Sequence, residues 1–343
     1  MKFDFMVAGG PLRRMQDLAR TAADSGLSGL TVTETGRTAY LSIAAMALAT
    51  DEIDYGTGVA VAFPRSPMVT AKVAWELADV TGGRFELGLG TQVRAHVERR
   101  YSAEFDPPGP RMRDYITAVR AILDSFASDE PLDHQGPFYS HTLLPGAWKP
   151  SPIANPDIPI YVAAVGPWML RMAGAVADGI HVHPLHSPTY LEEVLLPTVA
   201  EGARTAGRDP ADVRLAIPVF TIVGDSDAER EPWKRAVKGQ LAFYGSTRNY
   251  ARQFDLIGFP GTSAELNRRL KAGDHAGMAE LITDEMLEHL AVTSTWAELG
   301  DRLIQRYGDT AHRLIMYGAH QMCEADPSNW GRWAEVAAQV RAA

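Results

Sequence analysis

A single cysteine in 343 residues, Cys323, leaves no partner for an internal disulfide and no set of thiolates for a metal cluster, which fits a reducing cytoplasm. Long apolar runs are missing as well: nothing approaches the roughly 20 residues of a membrane-spanning helix. Basic residues are in the minority, 33 Lys and Arg against 42 Asp and Glu, and a net charge of −9 with a pI ≈ 5.6 excludes the basic surface that nucleic acid requires. The opening MKFDFMVAGG is no secretory signal, because Asp4 stands where an apolar segment is needed. Fixed-period repeats and low-complexity tracts are absent. So is the fingerprint G-x-G-x-x-G after the first strand, where Val7 to Pro11 reads VAGGP. The expectation left standing is a soluble, cytoplasmic protein with 46% hydrophobic residues, ample for a large core, and a small-molecule partner.

The stretch Ile53 to Gln92 organises the rest. Ile53 to Ala62 is an apolar strand interrupted by Gly56 and Gly58, and glycine inside a strand marks a bulge or a close approach of backbone or ligand. Ser66 and Pro67 open a helix whose apolar face is read as Val69, Val73, Leu77 and Val80, and Gly82-Gly83 closes it. Arg84 to Leu89 is the next strand, ending at Gly88-Leu89-Gly90. The same alternation recurs along the chain. Strands are expected at Lys2–Val7, Gly29–Thr33, Ile160–Ala164, Ile180–His183, Arg214–Val223 and Leu314–Tyr317, with helices between them. Helices at 111–126, from Ser187-Pro188 to 206 and from the capping box Thr295 to Glu298 are examples. Eight such units predict one (β/α)8 (TIM) barrel domain over residues 1–343, with a hairpin-bearing excursion at 128–159 and a helical insertion at 224–313 between strands seven and eight. A doubly wound open sheet is the other α/β arrangement, disfavoured by the missing fingerprint.

In a barrel the loops after the strands share one face, so Glu34, Gly58 to Phe63, Gly90 to Arg100, Val165-Gly166 and His183 converge there. Glu34 reads as a proton donor or ligand-orienting carboxylate, or else as a helix cap or ion-pair member. Arg94, His96, Arg99 and Arg100 read as a grip on an anionic group, or as solvated surface. His181, His183 and His186 lack the spacing and the acidic or thiolate companions of a metal site, so no metal is expected. His183 is better taken as a cofactor or substrate contact. Trp148, Trp168, Trp233 and Trp296 are candidates for an apolar pocket or for core.

The segments IDYGTGV (53–59), PRSP (64–67), TGGRFELGLGT (81–91) and PIYVAAVGP (159–167), running on to Ala177-Asp178-Gly179, together resemble the luciferase-like monooxygenase superfamily, and within it the branch that uses coenzyme F420. The resemblance implies a TIM barrel with a deazaflavin at the carboxyl ends of its strands. By position it implies that Gly58 and Val59, joined by a cis peptide, and then Ala60 and Val61 back the ring. Gly90, Thr91 and Gln92 edge it; Ala163, Ala164, Val165, Gly166 and Pro167 meet the ring or a phosphate; and Arg94, Arg99 and Arg100 hold an acidic tail. The start of a helix at Gly166-Pro167 is independently suited to an anion. Glu34 and His183 are then the catalytic candidates. One departure stands out: Thr35 follows Glu34 where alcohol-oxidising relatives carry histidine, which favours reduction of a double bond or carbonyl. The implied activity is hydride transfer between F420 and a small organic substrate, the alternatives being an FMN-dependent monooxygenase using reduced flavin and oxygen, or a flavin-binding relative without turnover. A homodimer through Ile43, Ala44, Ala47, Val73 and Leu77 on the second and third helices is also implied.

Overall fold

Eight parallel strands, each hydrogen-bonded to the next, close into a barrel in the computed structural model, which describes residues 1–343. They are Lys2–Ala8 (β1), Gly29–Thr33 (β2), Asp54–Thr57 (β3), Phe85–Gly90 (β4), Ile160–Ala163 (β5), Gly179–His181 (β6), Arg214–Val223 (β7) and Arg313–Tyr317 (β8). β8 pairs with both β7 and β1, which completes the circle. The third strand is broken: after Thr57 the chain resumes strand pairing only at Ala60–Val61, against β4. Around the barrel lie Leu12–Asp24 (α1), Ala39–Ala47 (α2), Pro67–Val80 (α3), Pro108–Ala127 (α4), Pro167–Val176 (α5), Leu196–Thr205 (α6), Trp296–Tyr307 (α7) and Asn329–Ala342 (α8). The TIM barrel expected from the alternation is therefore the fold.

Several local expectations hold with shifted bounds, and three need correction. α3 begins as read, with Ser66 Oγ accepting from Met68 N and Pro67 at its first position. Its buried face, however, is Thr70, Ala71, Ala74, Trp75 and Ala78 together with Leu77 of the expected set, while Val73 is half-buried and Val69 and Val80 face outward at 51% and 38% exposure. Alanines let α3 approach its neighbours closely, and Trp75 supplies the bulk by packing edge-on against Phe126 at 5.5 Å. Counting only large apolar residues places the stripe off-centre. The second correction concerns the insertion. A short strand, Val292–Ser294, pairs with β7, and α7 packs against α8 in the outer ring, so residues 292–313 belong to the barrel. The inserted part is residues 225–291, carrying helices Asp227–Gly245, Ala251–Leu256, Thr262–Ala272, His275–Leu281 and Asp284–Leu290. Third, the helix after Ser187 is not continuous. A π-helical turn, Leu191–Leu195, precedes α6, because Pro197 has no N–H to complete the regular ladder. The hairpin in the 128–159 excursion forms as His134–Gln135 against Ser140–His141.

The inserted helices have their own core, with Leu241, Phe254, Leu266 and Met286, and it joins the barrel through Leu185 and Phe220 with Tyr317 packed alongside. All three lie at the carboxyl ends of strands or in the loops beyond them, so the insertion sits as a cap beside that face. At the opposite, amino-terminal end the barrel is closed by charge. Arg313 Nη1 donates to both oxygens of Asp4 (2.7 and 2.6 Å), and its Nη2 donates to Asp54 (2.8 Å) and Glu86 (2.9 Å). Four strands are thereby tied by one guanidinium. Gly29 is required beside it, since a Cβ there would lie 2.7 Å from Asp54 O and 3.0 Å from Asp4 Oδ2. Burial pushes the Asp4 carboxyl up to about 6 against the pull of Arg313.

Candidate active site

The break in the third strand is where the carboxyl-terminal face takes its shape. The Gly58-Val59 peptide is cis, as the resemblance implies. Thr57 replaces the lost ladder bonds with its side chain: Oγ1 donates to Gly88 O (2.6 Å) and accepts from Gly88 N (2.8 Å). Gly58 N donates to Val32 O (2.9 Å), and Ala62 N donates to Gly90 O (3.0 Å), so regular pairing is recovered on either side. The glycines here serve close approach. A Cβ at Gly88 would stand 1.9 Å from Thr57 O, one at Gly90 2.5 Å from Val59 Cγ2, and one at Gly58 2.3 Å from Thr31 Cγ2 and 2.6 Å from His181 Nε2.

Glu34, at the exit of β2, reaches across to this break. Its Oε2 accepts from Val61 N (2.8 Å) and from Arg65 Nη1 (2.8 Å), and its Oε1 accepts from Arg65 Nη2 (2.5 Å). Arg65 Nη1 also donates to Val61 O (2.8 Å), and the guanidinium lies over the Tyr40 ring at 5.1 Å. Every partner of Glu34 is a donor, so both its oxygens are occupied as acceptors, and the side chain is buried. Of the readings the sequence leaves open for Glu34, the geometry matches the ion-pair member: with Arg65 it fastens the strand break.

On the other side of the mouth, the loop after β6 carries His183 and His186. Leu185 N donates to His183 Nδ1 (3.1 Å), so the neutral ring holds its proton on Nε2. His183 is half-buried, stacked on Tyr250 at 4.1 Å and edge-on to Tyr244 at 4.8 Å, and Tyr244 shares a 2.8 Å hydrogen bond with Tyr317 at the end of β8. Tyr244 and Tyr250 come from the inserted cap. His186 donates from Nδ1 to His183 O (3.0 Å), which leaves Nε2 to accept from the Tyr307 hydroxyl (3.2 Å). Burial holds His181 and His186 at about 4 and His183 at about 3, below the usual imidazole range. It also lifts Tyr250 to about 12 and raises Tyr244 and Tyr317. This wall of the mouth is therefore aromatic, hydrogen-bonding and uncharged at neutral pH.

A third wall is the exit of β5. Ala163 ends the strand, Ala164 is buried, and the Tyr190 hydroxyl donates to Val165 O at 2.8 Å. Gly166 precedes α5 with no side-chain cap, Pro167 has no N–H to give, and a Cβ on Gly166 would meet nothing within 4 Å. The first-turn amides of this ten-residue helix are open toward an anion.

The remaining candidates are less concentrated. Thr91 and Gln92 follow β4, with Gln92 at φ 60 and its Oε1 accepting from Val93 N (3.0 Å). Arg94 is paired with Glu98 and Asp106, and Arg100 donates to Thr35 O, tying its short helix, Arg94–Arg99, to the β2 exit. Arg99 is exposed and makes no side-chain hydrogen bond or ion pair. The tryptophans do not line the mouth as a group: Trp148 and Trp168 are exposed, and Trp296 packs on Trp333 at 5.1 Å. A depression of ≈ 640 Å³ opens on the amino-terminal face, but its Lys2 and Asp54 are already paired with each other and Arg341 donates to Gly26 O. Conserved chemistry in this fold sits at the other end. Sequence reasoning passed over Arg65, Thr57, Tyr190 and the two cap tyrosines. Arg65 stood in view within PRSP; the tyrosines had no local signal, because only the folded insertion brings them to His183.

Comparison with known proteins agrees with this geometry. The family model described as luciferase-like monooxygenase matches residues 3–313. The uncharacterized protein Rv1360 of Mycobacterium tuberculosis is 35% identical over 314 residues, covering 91% of this chain and 92% of the relative. The putative coenzyme F420-dependent oxidoreductase Rv3520c of the same organism is 28% identical over 300 residues, covering 82% and 84%. Among solved structures, the coenzyme F420-dependent tetrahydromethanopterin reductase from Methanopyrus kandleri superposes with a TM-score of 0.78 at 18% identity, covering 97% of each chain.

The buried imidazoles set a pH dependence. Folded values near 4 against an unfolded value of 6.5 mean that the unfolded chain takes up protons first as pH falls. The stability owed to neutral His181 and His186 is complete above pH 6.5 and is lost as pH drops toward 4. Each contributes about 1.4 kcal/mol per pH unit in that window. Asp4, raised to about 6, acts in the opposite sense, gaining stability as pH falls. Urea midpoints are expected to fall between pH 7 and pH 5; a flat profile would contradict the assignment of these histidines as buried and neutral.

Proposed function

The chain belongs to the luciferase-like monooxygenase family, and from that premise we propose that it is an oxidoreductase passing hydride between coenzyme F420 and a small organic substrate. The observation that carries the reading is the break at Gly58-Val59, a face of backbone and small side chains held rigid from beneath and beside. The deazaflavin, when bound, supplies a two-electron hydride donor or acceptor. Gly58 to Val61 offer it a flat bed, with Gly90, Thr91 and Gln92 along one edge and Ala163 to Pro167 along another. The open amides of α5 suit a phosphate, and Arg99, which makes no side-chain hydrogen bond or ion pair, suits an acidic tail with Arg100, whose guanidinium donates only to a backbone carbonyl. FMN also carries a phosphate, so that feature serves either cofactor. F420 is favoured by the name of the 28% identical relative Rv3520c and by the F420 enzyme of the same fold.

In this reading Glu34 is a positioning residue, keeping Val61 and the bed in place through Arg65. His183 is the catalytic residue: its Nε2–H, carried at the mouth on a neutral ring, donates a hydrogen bond to a substrate oxygen and stabilises the charge that develops there. Tyr244 and Tyr250 hold that ring in position and, with the cap, exclude water. An uncharged imidazole cannot accept a hydroxyl proton at Nε2 while it holds one there, which agrees with reduction as the working direction. Purified protein titrated with F420 and, separately, FMN should show spectral saturation with F420 and accept or donate hydride in single turnover. Tight FMN binding with none of F420 would overturn the proposal in favour of a flavin-dependent monooxygenase.

We also propose a homodimer, keeping Ala44 and Val73 of the expected set, which are partly exposed, and setting the other three aside. Ile43, Ala47 and Leu77 are buried within the subunit. The apolar side chains left open on and beside α2 and α3 are Leu41 (59%), Leu48 (73%), Val69 (51%) and Val80 (38%). Sedimentation at micromolar concentration should give twice 37.4 kDa, and Val69→Glu should shift it toward one subunit. A monomer in the parent protein would refute the pairing.

A further inference from the structure

Inside the barrel, between the charged floor and the strand break, lies a cavity of ≈ 10 Å³. Its wall includes Arg313, Glu86, Tyr161, His181 and Ala216. Three of these residues carry a buried polar atom with no hydrogen-bond partner of good geometry in the protein: Tyr161 Oη, toward which Arg214 is the nearest cationic donor, His181 Nε2 and Arg313 Nε. Their residues are 2%, 7% and 2% exposed. A buried donor or acceptor without a partner forfeits its hydration, so three on the residues that line one void call for a shared partner within it. The void is near the lower limit for one water, and a buried water typically makes about three hydrogen bonds.

We propose that this cavity is a binding site for a single water molecule that positions His181 beneath the Gly58-Val59 peptide. The donors and acceptors balance. Tyr161 O–H and Arg313 Nε–H donate to the water oxygen, and the water donates one hydrogen to His181 Nε2 and has the other for the Glu86 carboxylate. Burial disfavours the imidazolium, so the acceptor role is available across the neutral range, with the ring proton on Nδ1. His181 Nε2 is also the atom that a Cβ at Gly58 would approach to 2.6 Å. One water thereby links the Arg313 cluster that closes the floor to the underside of the peptide that shapes the site. His181 is a positioning residue in this arrangement; it is separated from the mouth by that peptide.

The test uses the full chain without cofactor, so its outcome is independent of the activity proposed above. A crystal structure at about 1.5 Å or better should show a water within about 2.6–3.2 Å of Tyr161 Oη, His181 Nε2 and Arg313 Nε. An empty cavity, or a water touching only one of the three, overturns the proposal. In solution, nitrogen NMR should find His181 unprotonated at Nε2 from pH 6 to 8, and Tyr161→Phe should shift that Nε2 resonance. A ring protonated at Nε2, or a resonance unmoved by Tyr161→Phe in a folded variant, would overturn it equally. Should Tyr161→Phe fail to fold, Ala216→Val, which fills the void, supplies the same comparison: loss of the water must move the His181 signal.

Discussion

The hydroxyl of Thr57 is the contact on which the site depends. A barrel strand that stops pairing must leave ladder groups unsatisfied in a dry interior, and Thr57 Oγ1 satisfies both the N–H and the C=O of Gly88 at the break. With that settled, the chain can turn through a cis peptide at Gly58-Val59 and rejoin the sheet at Ala60–Val61 without cost to the neighbouring strand. The glycines at 58, 88 and 90 follow from the same requirement, because each would drive a Cβ into the displaced segment or its support. Glu34 and Arg65 then hold the displaced segment from the β2 side.

Charge is distributed to match. The two ends of the barrel lumen differ: the floor concentrates Asp4, Asp54 and Glu86 on Arg313, whereas the mouth opposes one internally neutralised ion pair, Glu34 with Arg65, to a wall of neutral histidine and tyrosine. Buried ion pairs are weak evidence for stability but strong constraints on geometry, since removing one partner strands the other. The floor fixes strand register; the mouth pair fixes the bed. Neither leaves a free charge facing the mouth, where His183 Nε2–H stands as a hydrogen-bond donor.

Much of this was legible in the sequence. Eight apolar strands bounded by turn residues gave the barrel its count and order, and strand β7, Arg214–Val223, fell where its β-branched run lies. Gly58 within a strand pointed to the break. What the sequence could not convey was set by distance in space. The face of α3 turned on alanines, whose contribution is closeness and not bulk. Thr295 holds the N-cap position of α7 but its capping box does not form: the side chain makes no cap hydrogen bond, and the amide of Trp296 is taken by Asp225 of the inserted segment, a contact no local pattern encodes. Glu34 was visible as a residue of the active face, but its partners Val61 and Arg65 are some thirty positions away. From sequence the acid reads equally as a catalyst or as an ion-pair member; the folded chain supplies the pair, with Arg65 and the amide of Val61.

That Glu34 positions the bed is the central proposal, and Glu34→Gln measures it most directly. The substitution keeps shape and removes the charge from a doubly bonded guanidinium contact, an interaction of about 1.5–3 kcal/mol. With the protein folded, the account expects cofactor affinity to fall roughly 10- to 100-fold while the single-turnover rate of the saturated enzyme and its pH profile stay close to those of the parent. Undiminished affinity with a rate lowered about 10²–10⁴-fold, and with loss of one limb of the pH profile, would contradict it and restore Glu34 to the role of proton donor.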